Sequence, residues 1–113
     1  MTIIAFGSTA MVLAECKSER EVDANQVARF VGSRGTAAAD LGLRAAINVL
    51  RRHPGKPTDF RPYVMFFSSG RIERAKATIA IAGELKSLDI AAGNPTLIAL
   101  GLGDVDEDVM KQV

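Results

Sequence analysis

The sequence predicts a mixed α/β domain of Rossmann-like design: three layers, α/β/α, around a mostly parallel sheet that carries a β-hairpin at its N-terminal end. Three observations carry this expectation. Residues 63–67 and 96–100 are uninterrupted apolar runs, the pattern of strands buried on both faces. Apolar residues at helical spacing precede and separate them. The second half then alternates strand, helix, strand, helix, as parallel strands joined by crossovers do.

The N-terminal hairpin rests on two short runs. Residues 2–6 are β-branched and aromatic, residues 10–15 are again mostly apolar, and Gly7-Ser8 lies between them as a turn. Residues 16–23 are polar and charged and read as a loop. Val27, Phe30 and Val31 suggest a short helix over 24–31. Gly32-Ser33-Arg34-Gly35 breaks it.

Thr36 opens the clearest helix of the chain. Leu43, Ala46, Ile47 and Leu50 recur at the spacing of one helical face. Arg51, Arg52 and His53 fall in its last turn, where positive charge suits the helix dipole. Pro54-Gly55 end it. After the 63–67 strand, Ser68-Ser69-Gly70 form a turn. Ile72, Ala75, Ile79, Ala82 and Leu85 mark a second amphipathic helix to about residue 88. Gly83 inside it costs up to about 1 kcal/mol against alanine, which implies close packing there. The 96–100 strand closes at Gly101-Leu102-Gly103, and an acidic helical turn opens at Asp104.

Composition narrows the function. A chain of 113 residues fits one domain. Its net charge is +1 and it has no tryptophan, which provides neither the basic surface nor the stacking rings of a nucleic-acid binder. No apolar run is long enough to span a bilayer, and the apolar start has no basic leader, so the expected location is the cytoplasm. Cys16 is the only cysteine. It forms no internal disulfide, suits a reducing compartment, and is expected to be a buried or half-buried small hydrophobe.

In an open parallel sheet, ligands bind at the carboxyl ends of the strands. Attention therefore falls on the turns at residues 7–9, 32–36, 68–71 and 101–106. None holds a catalytic set. Gly101 and Gly103 lack the third glycine of a dinucleotide fingerprint, and Asp104, Asp106, Glu107 and Asp108 would repel a pyrophosphate. The same acidic run lacks the glycine and glutamate of a calcium loop. His53 sits at a helix end with no nucleophile beside it, and Ser68-Ser69 lacks the glycine frame of a nucleophile elbow. Catalysis is not expected.

Taken together, Ile3-Ile4-Ala5-Phe6-Gly7-Ser8, Gly35-Thr36 with its alanine-rich helix, the 63–70 strand and turn, and Leu100-Gly101-Leu102-Gly103-Asp104-Val105-Asp106 resemble successive stretches of von Willebrand factor A-like domains. Arg61-Pro62 is similar to the tellurite-resistance branch of that superfamily, which implies a stress-response setting. The resemblance implies a single truncated domain over 1–113 that lacks the family's first, central strand. It also implies a ligand-binding edge at Ser8, Thr36, Ser68 and Ser69.

The family's metal site departs here. No Asp-x-Ser-x-Ser motif is present, and Ser69 stands where the family has aspartate. Hydroxyls without carboxylate charge hold Mg²⁺ poorly. No metal is expected unless a partner or a missing segment completes the site. The implied function is non-catalytic, metal-independent protein binding, either to a protein partner or by self-association through an exposed sheet edge. One alternative is a structural subunit whose sheet edge is completed by another chain. A second is a small Rossmann-like nucleotide-binding domain.

Overall fold

A computed structural model of the chain describes residues 2–6, 10–16, 20, 25, 38–69, 74–102 and 107–113. Two strands come first, β1 (Ile3–Phe6) and β2 (Ala10–Ala14). Helix α1 (Ala39–Arg52), strand β3 (Tyr63–Ser69), helix α2 (Ala75–Lys86), strand β4 (Thr96–Leu102) and helix α3 (Glu107–Gln112) follow. The protein is a mixed α/β fold. The expected helix over 24–31 and the glycine turn before Thr36 lie outside the described residues.

Among the described residues the strands form two separate pairs. β1 and β2 are antiparallel, with Ile4 opposite Val12. β3 and β4 are parallel and in unbroken register from Tyr63 opposite Thr96 to Ser69 opposite Leu102. The hairpin does not pair with β3.

The helices form where the spacing of apolar residues demands them. Leu43 and Ile47 of α1, Ala82 and Leu85 of α2, and Val109 and Val113 at the C-terminal end meet Phe66 of β3 in one buried cluster. Val64, Leu97 and Ala99 of the parallel pair pack against it. α1 also lies against both hairpin strands, and its Leu43 and Ile47 share the buried cluster with Phe66 of β3. The bidentate pair of Arg44 with Glu84, at 2.8 and 3.0 Å, joins α1 to α2 across the surface.

Three expectations are corrected. The 63–67 run is buried on one face only: Phe66 is inside, whereas Tyr63, Met65 and Phe67 are exposed. A run of apolar residues does not say which face a strand presents, because its pattern is the same on both. Gly83 has no close neighbour; a Cβ added there meets nothing within 4 Å. Cys16 is exposed, because it follows β2 in a left-handed conformation, φ 52°, that carries it away from the core.

Candidate functional site

The expected ligand-binding edge comprises Ser8, Thr36, Ser68 and Ser69, the last two at the carboxyl end of β3. Ser68 and Ser69 are its last two residues and stand beside Gly101 and Leu102 of β4. Ser8 and Thr36 lie outside the described residues, so the structure brings together only the two serines of the expected set. The two long helices begin close to one another. Arg74 caps α2 in a left-handed conformation, φ 52°, and its guanidinium reaches Asp40 in the first turn of α1 at 3.2 Å. Asp40 is 6% exposed, so the pair fixes the approach of two helix N-termini rather than offering a free carboxylate. Neither helix has a side-chain cap.

A second polar cluster lies at the opposite end of α1. Glu15, just after β2, accepts from Arg52 at 2.6 and 3.3 Å and stands 2.7 Å from Nε2 of His53. The Arg52 hydrogen bonds, and then the contact with His53, hold the Glu15 carboxyl down at about 2. Thr2 accepts a hydrogen bond from the Cys16 amide at 3.0 Å and closes the hairpin beside it. The cluster ties the hairpin to the end of α1. His53 serves this clasp and has no nucleophile among its hydrogen-bond partners.

Among the described residues no group of three or more His, Cys, Asp or Glu side chains is placed to hold a metal ion. Nor is any helix long and apolar enough to cross a membrane.

The most distinctive surface is apolar. Met65 of β3 is in register with Ile98 of β4, and both are exposed, at 55% and 38%. Tyr63 and Phe67 flank Met65 on the same face, since alternate residues of a strand point the same way. Parallel sheets are ordinarily covered on both faces; this one leaves a patch on the order of 400 Å², taking about 150–250 Å² for a whole aromatic side chain. Patches of about 300–600 Å² are often binding surfaces. Phe60, in the loop before β3, is 98% exposed.

Beside the patch runs a groove of about 380 Å³. It is lined by Thr2 and Ile4 at the hairpin, by Leu43, Ala46 and Leu50 of α1, and by residues 63–67 of β3. None of the side chains lining it is charged. The sequence signalled the apolar residues of this surface but not their exposure, which depends on what covers the sheet.

No protein-family model, curated protein or solved structure matches the chain.

Proposed function

We propose that this chain is a protein-binding module that works without catalysis and without a metal of its own. The observation that supports this most strongly is the uncovered apolar face of Tyr63, Met65, Phe67 and Ile98. Covering half-exposed side chains of this size is the usual source of association energy, about 25 cal/mol per Å² before the cost of association is subtracted. The outward aromatic and methionine side chains match the residue types enriched at interfaces. On this reading, binding is carried by the sheet face rather than by Ser8, Thr36, Ser68 and Ser69. Hydroxyl groups at those four positions offer a hard cation no carboxylate charge.

The finer fold reading belongs to the same proposal. The hairpin and the parallel pair are two parts of one Rossmann-like sheet of the von Willebrand factor A-like kind, with the strand between them missing. Supporting this are helix α1, which lies against the hairpin and shares the buried cluster with Phe66 of β3, and the groove lined by residues of both pairs. It also favours the second reading, a structural subunit whose sheet is completed by another chain.

The test is a comparison of proteins captured by the immobilised chain and by a Met65→Lys/Phe67→Lys variant, each in Mg²⁺ and in chelator. At least one captured protein is expected to depend on the two side chains and to be indifferent to the chelator. Identical captured sets for the two chains, or capture that chelator abolishes, would sink the proposal.

A further inference from the structure

We infer that Phe60 is the knob of a two-fold homodimer: the ring of each copy enters the apolar groove of the other, and the two sheet faces close over the joint. This rests on the protein-binding reading of that face and identifies the partner as a second copy of the chain.

The knob is held in place by its loop. Phe60 is 98% exposed, so its ring fills no cavity of its own chain. The turn just before it is locked. The Asp59 amide donates to the Lys56 carbonyl at 2.9 Å, and the Asp59 carboxylate accepts from the Lys56 amide at 2.7 Å. On either side of the ring the loop is tied to the stretch that leads into β4. The Ala92 amide donates to the Pro54 carbonyl at 3.0 Å, and the Thr96 amide to the Pro62 carbonyl at 2.9 Å. A ring carried by a pinned loop has little freedom left to lose on binding, which is the usual advantage of preorganisation.

The socket fits the knob. A cavity of about 150 Å³ lined by apolar side chains takes up benzene, and the groove offers about 380 Å³. Its lining among the described residues is uncharged, with Ile4, Leu43, Ala46 and Leu50 in it. Tyr63, Met65 and Phe67 line the groove and are also exposed, so groove and sheet face are one surface. Pro62, two residues after Phe60, belongs to the lining too. Knob and socket are thus neighbours on one chain. In a two-fold interface the same patch must complement itself, and neighbouring knob and socket do so by reciprocal exchange. The flanking charges suit that symmetry: Asp59 and Arg61 stand on either side of Phe60 with opposite signs.

Area sets the strength. The sheet face supplies about 400 Å², and the nearly whole Phe60 side chain adds about 200 Å². Two copies together hide about 1,200 Å², the lower bound of a specific interface. The dimer is therefore reversible, forming at about 100 µM and dissociating by about 1 µM, the weak end of the affinities such areas give.

Sedimentation of the full chain over that concentration range is the first arm of the test. The expected result is a monomer–dimer equilibrium that Phe60→Ser weakens about tenfold or more. An exposed side chain leaves the fold intact when it is replaced. The second arm uses Phe60→Trp. The chain has no tryptophan, so the new indole reports on position 60 alone. Its emission should shift to the blue as the concentration rises and return on dilution.

A chain that stays monomeric at 100 µM overturns the inference. A dimer indifferent to Phe60→Ser overturns it too, as does one in which the indole keeps the emission of a water-exposed ring. Assemblies that grow beyond two copies would mean a head-to-tail contact and overturn the two-fold exchange. Vesicles of phosphatidylcholine with phosphatidylglycerol are the remaining probe: a blue shift on a chain that stays monomeric would make lipid the occupant and overturn the assignment to a second copy. The capture comparison decides the protein-binding reading separately, since a monomeric chain can still capture another protein through Met65 and Phe67.

Discussion

The two faces of β3 carry the same kind of residue and do opposite things. Val64 and Phe66 point toward α1 and α2 and join the buried cluster. Tyr63, Met65 and Phe67, one residue out of phase, stand in the open. The difference lies in what each face meets, not in the sequence of the strand. Two helices close one side, and nothing among the described residues closes the other. One strand therefore holds the fold together with alternate residues and leaves the rest exposed.

Truncating the inner face should do the most damage. Phe66→Ala removes a side chain only 4% exposed from the centre of the cluster. Such deletions cost about 3–5 kcal/mol, which urea unfolding would read as a large fall in midpoint. A loss below about 1 kcal/mol would mean that the cluster is not the core.

The clasp between Glu15 and α1 should show itself through pH. The folded carboxyl titrates at about 2 instead of 4.5. Because the folded value is the lower one, the stabilisation is complete above the unfolded value and disappears as pH falls from about 4.5 to about 2. The wild-type chain should melt above Glu15→Gln at neutral pH, and the two curves should converge over that acid window. Curves that stay parallel to low pH would show that the clasp does not form.

Gly83→Ala is expected to raise stability by up to about 1 kcal/mol, since helix propensity improves. The added methyl group has no neighbour within 4 Å. Destabilisation would instead restore the close packing that a mid-helix glycine suggested. The smallest effect belongs to the outer face. Met65→Lys should leave stability within about 0.5 kcal/mol, as surface substitutions usually do. A larger loss would mean that Met65 is part of the core and that the two faces are not distinct.

The elements of this fold were legible where a period or a breaker defines them. Leu43, Ala46, Ile47 and Leu50 announced α1, and Pro54-Gly55 its end, where Gly55 takes a φ of 72° with Ala92 close by. Two strands were legible from the apolar runs at 63–67 and 96–100, and each continues two residues into the stretch expected as a turn, to Ser69 and to Leu102. The exposure of Tyr63, Met65 and Phe67 was not, because a continuous apolar run is symmetric between faces. The partners of Glu15 were equally hidden: Arg52 and His53 lie far along the chain and meet it only once the hairpin docks on α1. The site expected at the strand ends is described only at Ser68 and Ser69. The apolar surface of Tyr63, Met65 and Phe67 lies in a run whose pattern reads as core.

The most direct test places a photo-crosslinking amino acid at position 65 and, as a control, at Asn48, an exposed residue of α1. After irradiation in living cells, the account predicts a discrete adduct of defined mass from position 65 and none from position 48. Equal labelling at the two positions, or no adduct at 65, would contradict the claim that the outward face of β3 is where this protein meets its partner.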